Sequence, residues 1–116
     1  MKSDIELIKH IYEEVNFILD KSALLDYDAF ILDEVLKRAF LRSIEVIGEA
    51  SNKLNDSFRK KYEDTNWKKL IATRNRLIHD YFIIDYEIIW DIAKNKIPVL
   101  KKEIEKILEK EKTLFD

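Results

Sequence analysis

The sequence contains no cysteine, a single glycine (Gly48) and a single proline (Pro98). Without thiols there is no disulfide framework, no thiolate nucleophile and no cysteine-ligated zinc site. With so few backbone breakers a turn-rich β protein is disfavoured and long helices are expected. No apolar run approaches the roughly 18 residues of a membrane-span candidate. The opening stretch MKSDIELIKH lacks the apolar core of a secretory signal. A soluble cytoplasmic protein with no membrane association is therefore the expectation. Histidine is scarce as well, with only His10 and His79. A glycine-rich phosphate loop, a histidine pair at i,i+4 and a calcium-binding loop are all missing. No cofactor and no metal site are expected.

What the chain does have is apolar and charged residues in helical order. Its 116 residues, 47% apolar and 38% charged, suit one domain spanning residues 1–116 with a buried core and a solvated surface. Net charge is −2, but it is unevenly spread. Residues 1–52 carry 6 basic and 11 acidic side chains, residues 53–79 carry 8 and 3, and residues 80–116 carry 7 and 9. The middle segment is locally positive. It is either a solvated lysine-rich connector or a surface that attracts an anion such as phosphate.

Periodicity predicts four main helices. The first covers residues 4–21, opened by a capping box of Ser3 and Glu6, with Ile5, Ile8, Ile11, Val15 and Ile18 on one face. The second covers residues 29–54, capped by Asp26 or Asp28, with a stripe running from Leu32 and Val35 through Phe40 and Ile47 to Leu54. Gly48 inside it weakens the helix by up to about 1 kcal/mol relative to alanine. Close approach by another helix would explain it, as would a bend. SFRKKY can form a single turn. The third helix starts near Trp67, capped by Thr65 or Asn66, buries Trp67, Leu70, Ile71, Leu77 and Ile78, and ends near residues 80–82. The fourth starts at Asp85, with a kink expected over residues 94–98 because Pro98 lacks an amide donor. The sum is an all-α, antiparallel bundle of four to five helices, with a dimer face plausible from its many large apolar residues.

One stretch, RNRLIHDY at residues 74–81, combines core and reactive residue types. Arg74 falls on the stripe made by Leu70, Ile71, Leu77 and Ile78, where an arginine is costly unless it is paired or lines a cleft. On a helical wheel Tyr81 lies about 20° from Arg74 and His79 about 140° from it. Asn75 lies between the two and is i,i+4 to His79. His10, in contrast, sits opposite the apolar stripe of its helix and is expected to be a surface residue. A single straight helix does not bring Arg74 and His79 onto one small atom. Either the helix loosens near His79, or two copies of the segment face each other across a two-fold axis; the second is favoured, since such an interface presents the same patch twice. Histidine transfers protons near neutral pH, and arginine grips phosphate oxygens. Without metal ligands the pair suits transesterification at RNA. A structural polar network remains the competing reading of the same residues.

The pattern Arg-x4-His-x-Tyr, set in "VIGEASNKL", a following tryptophan, "RNRLIHDYF" and "DYEIIWDIAKNKIPVLKKEI", resembles the HepT-like branch of the HEPN domains over residues 3 to about 108. The resemblance implies a dimeric helical bundle with its motifs at the interface. It implies a metal-independent ribonuclease toxin of a toxin–antitoxin pair, with an RNA substrate for which tRNA is one candidate. Arg74 and His79 would carry catalysis, and Asn75 would orient the site. Tyr81 would be the residue that a cognate minimal nucleotidyltransferase antitoxin modifies with AMP. The alternative within the resemblance is a non-catalytic binding partner of such a nucleotidyltransferase.

Overall fold

The computed structural model describes residues 3–79 and 83–115. Its elements are α1 (Asp4–Ser22), α2 (Tyr27–Leu32), α3 (Glu34–Lys53), α4 (Asp56–Lys61), α5 (Trp67–His79), α6 (Tyr86–Asp91), a π-helical segment (Ile92–Lys96) and α7 (Ile97–Phe115). The last three are continuous, because Asp91, Ile92 and Ile97 at their junctions all keep right-handed helical dihedrals. Four rods thus make the all-α bundle, α1, α3, α5 and α6–α7, with α2 and α4 as short additions.

Cross-rod hydrogen bonds show the antiparallel order. Asp4 at the start of α1 accepts from the backbone and side-chain amides of Asn55, just beyond α3, both at 3.0 Å. At the other end of α1, the Ser22 carbonyl accepts from Lys94 Nζ of the π segment at 3.4 Å. Between them the Tyr12 hydroxyl donates to Glu105 of α7 at 2.8 Å. So α1 runs against both α3 and the last rod, while α5 packs chiefly on α3.

Local chemistry sets the helix ends. The Ser3 hydroxyl accepts from the Glu6 amide at 3.2 Å, and Asp26 rather than Asp28 caps α2 through the Ala29 amide at 2.8 Å. The single helix expected over residues 29–54 is broken at Asp33. That carboxylate accepts from the Val35 and Leu36 amides at 3.2 and 2.9 Å, and the backbone of Asp33 is extended. An aspartate that satisfies two amides of a new first turn competes with continuation of the old helix. The break also corrects the core: Leu32 and Val35 are 81% and 78% exposed instead of lying on the stripe.

The turn expected in SFRKKY is α4. The disturbance expected at Pro98 takes the form of a π segment. The proline has no amide to reach the carbonyl of residue 94, and the Ile97 amide bonds instead to the Ile92 carbonyl, five residues back.

Two clusters close the bundle. Phe30 of α2 is fully buried against Phe40 of α3 and Trp90 of α6, with ring centroids 5.2 and 5.0 Å away. Near the end of α7, Glu111 is buried and accepts from the Tyr62 hydroxyl and, at 2.9 Å, from Lys61 Nζ. Burial pushes the Glu111 carboxyl up, but these two donors prevail and hold it below the ordinary carboxylate value. No helix among the described residues is long and apolar enough to cross a membrane.

Candidate functional site

Arg74 projects from the middle of α5 onto α3, and Gly48 is what admits it. A Cβ added at Gly48 would collide with Arg74 Cβ and lie 2.9 Å from Arg74 Cγ and 2.8 Å from the Leu70 carbonyl oxygen. Gly48 therefore reflects close approach by another helix, not a bend. The arginine stem lies directly on the backbone of α3. Gly48→Ala tests this contact. Alanine raises helix propensity by about 1 kcal/mol, but overpacking against a neighbouring backbone costs about 1–3 kcal/mol. The expected result is a thermal midpoint lowered by a few degrees in circular dichroism; an unchanged or higher midpoint contradicts it.

The head of Arg74 is held less completely than its stem. The side chain is 30% exposed, yet Nε is buried and has no hydrogen-bond partner among the described residues. Nη1 donates to Asn75 Oδ1 at 2.9 Å. Glu49, the residue after Gly48, places Oε1 4.0 Å from Nε. The same Oε1 accepts from Arg42 Nη1 at 3.2 Å, and Arg42 also contacts Glu45 at 3.3 Å. Arg74 therefore carries the anomaly expected of an arginine on the core stripe: it is half-buried and incompletely paired.

Asn75 is exposed and turned toward Arg74. His79 is exposed at the last described position of α5. Leu70, Ile71, Leu77 and Ile78 are only partly buried, and of the expected inner face Trp67 alone is fully so. Tyr81 and the expected end of this helix lie outside the described residues. Asn66 caps α5 through the Lys69 amide at 3.0 Å. His10 is partly buried on α1.

The basic segment is partly structural. Arg59 donates to the Ser51 carbonyl at 3.2 Å and pairs with Asp56, while Lys61 pairs with Glu111. Those two cations serve α3 and α7, which favours the connector reading for that part of the segment.

A cleft of about 600 Å³ separates α5 from the last rod, floored by Ile44 and Ile47 of α3. Lys69, Leu70, Thr73, Arg76 and Leu77 form its α5 wall. Arg74, Asn75 and His79 do not line it, so the motif and the cleft occupy different faces of α5. The cleft is largely apolar, and the chemistry-bearing residues are those of the motif. At its edge Glu103 is pushed above the ordinary carboxylate value by burial and then by the Asp64 carboxylate. Among the described residues no cluster of three or more histidine, cysteine, aspartate or glutamate side chains could hold a metal ion.

Glu49 and Arg42 are the parts of this arrangement that the sequence alone does not reveal. The available signal is the position of Glu49 directly after the only glycine.

The family model described as "Ribonuclease HepT-like" matches residues 2–107. "Putative RNase TTE0752" of Caldanaerobacter subterraneus subsp. tengcongensis is 40% identical over 112 residues, covering 97% of this chain and 100% of that protein. "Putative RNase MJ1380" of Methanocaldococcus jannaschii is 41% identical over 95 residues, covering 82% and 87%. "Probable ribonuclease HepT" of Thermococcus cleftensis is 29% identical over 106 residues, covering 91% and 96%. No solved structure gives a significant match. With a family match over nearly the whole chain and relatives covered almost end to end, this protein belongs to the ribonuclease HepT-like family.

Proposed function

We propose that the protein is a metal-independent endoribonuclease whose site is built from Arg74 and His79 of two facing copies. The observation that carries the reading is Arg74 itself: a half-buried guanidinium, braced on Gly48, whose Nε has no hydrogen-bond partner among the described residues. Family membership supports it. A phosphodiester supplies the anionic oxygens that a planar guanidinium grips. His79, exposed at the end of α5, takes the proton of the RNA 2′-hydroxyl. The 2′-oxygen attacks the adjacent phosphorus, the bond to the 5′-oxygen breaks, and protonated His79 returns a proton to the leaving oxygen. Arg74 stabilises the charge that develops on the phosphate. The products are a 2′,3′-cyclic phosphate and a 5′-hydroxyl.

The two-copy arrangement is supported by the helical wheel, since Arg74 and His79 of one α5 point in different directions. In this reading the protein is the toxin of a pair, and a minimal nucleotidyltransferase silences it by adding AMP to Tyr81. A bulky anion beside Arg74 would occupy the phosphate site and repel RNA.

The test is RNA cleavage by purified, unmodified protein in excess chelator, with end-group analysis of the fragments. Cyclic phosphate ends at an undiminished rate are expected. Mass spectrometry of protein co-expressed with a nucleotidyltransferase encoded beside it should show one AMP on Tyr81. Tyr81 modification with no cleavage at any concentration would instead make the chain a non-catalytic partner.

A further inference from the structure

We infer that Glu49 is a positioning residue for Arg74, holding the guanidinium by its Nε edge so that the remaining edge is presented to phosphate. The inference rests on the ribonuclease reading for its consequence, but not for its geometry. Three observations on different atoms converge on it. The arginine stem is fixed by contact with Gly48 on α3. Nη1 is taken up by Asn75. Nε is buried, without a hydrogen bond, and faces Glu49 Oε1 at 4.0 Å. Glu49 is thus the carboxylate paired with the buried Nε of Arg74 that lacks a hydrogen bond among the described residues.

A buried N–H left without an acceptor destabilises by about 1–3 kcal/mol, so closure of Glu49 onto Nε by about an ångström is favoured wherever the side chain is free to move. What holds it back is visible. The same oxygen accepts from Arg42 at 3.2 Å, and Arg42 is the more exposed partner at 62%. Glu49 is therefore shared between a surface arginine and the motif arginine. With Nε held by Glu49 and one N–H of Nη1 by Asn75, Nη2 and the second N–H of Nη1 are left to meet phosphate oxygens. Two acceptors fix the plane of the guanidinium; one acceptor leaves it free to rotate about its stem. Gly48 and Glu49 are consecutive, so one short stretch of α3 supplies both the seat for the arginine stem and the anchor for its head.

The test has two arms. The first needs no activity. Solvent exchange of the Arg74 Nε–H proton is followed by NMR in the wild type, Glu49→Gln and Glu49→Ala. Exchange is expected to be slow in the wild type, faster in Glu49→Gln and fastest in Glu49→Ala, with the thermal midpoint little changed. Exchange unaltered in both variants overturns the inference.

The second arm is RNA cleavage. Glu49→Ala is expected to lower kcat by about 10- to 100-fold, the scale of a misplaced catalytic group, with KM nearly constant, and Glu49→Asp to recover part of the loss. Full kcat in Glu49→Ala also overturns the inference. A wild type that cuts no RNA overturns the ribonuclease reading alone, and the exchange arm still decides the role of Glu49.

Discussion

Replacing Arg74 by methionine is expected to lower RNA cleavage by about 10²- to 10³-fold, the usual effect of removing a donor that stabilises developing charge. The same replacement is expected to leave the thermal midpoint unchanged or raise it. The methionine stem keeps the volume that packs on Gly48, and it removes a buried Nε that has no hydrogen bond among the described residues. Exchanging a buried charge for a well-packed apolar group is often neutral or stabilising. The lost contact with Asn75 lies at the surface, where such bonds contribute little. His79→Ala should lower cleavage about 10²- to 10⁴-fold with the fold intact, because an exposed histidine makes little packing contact. Kinetics on synthetic RNA, beside thermal unfolding of the same preparations, check both. Wild-type rates in both variants would refute the site. A midpoint that drops by ten degrees or so in Arg74→Met would make Arg74 a structural residue.

The largest loss of stability is expected away from the motif, at Phe30. Its ring is fully buried between Phe40 and Trp90 and meets Tyr86 edge-on at 6.5 Å. Phe30→Ala removes the whole ring and leaves a cavity that the three neighbouring rings and the α2 backbone fill only in part. Such changes cost about 3–5 kcal/mol, a large share of the roughly 5–15 kcal/mol that stabilises a domain. Urea unfolding measures it. A loss below about 1 kcal/mol would mean that α2 does not close the core between α3 and α6.

The same residue marks where sequence periodicity stops being informative. Apolar spacing continues through Leu32 and Val35 as if one helix crossed residue 33, and nothing in the spacing distinguishes that from a break. The break is made by the Asp33 carboxylate, which bonds two amides at once, and by the burial of Phe30 that the redirected α2 allows. A capping aspartate inside an apolar pattern is visible in a sequence, but its use depends on what the preceding helix gains by turning. Pro98 shows the reverse case. Its missing amide requires a disturbance in any context, and only the form, a π segment, depended on the surroundings.

For the site, residue types were decisive and spacing was limiting. Arg74 on an apolar stripe is an anomaly detectable without coordinates, and the angle between Arg74 and His79 follows from helical geometry alone. The anchor at Glu49 does not follow from either, because it joins residues on two helices whose relative rotation is set by packing. By itself the sequence determined the helices, most of their caps, the all-α class and the motif, since each depends on neighbours within about one helical turn. Tertiary structure alone decided that α2 turns away at Asp33, that Gly48 seats Arg74, and that Glu49 faces its buried Nε. These depend on how closely two backbones approach, and that distance is set by every side chain between them.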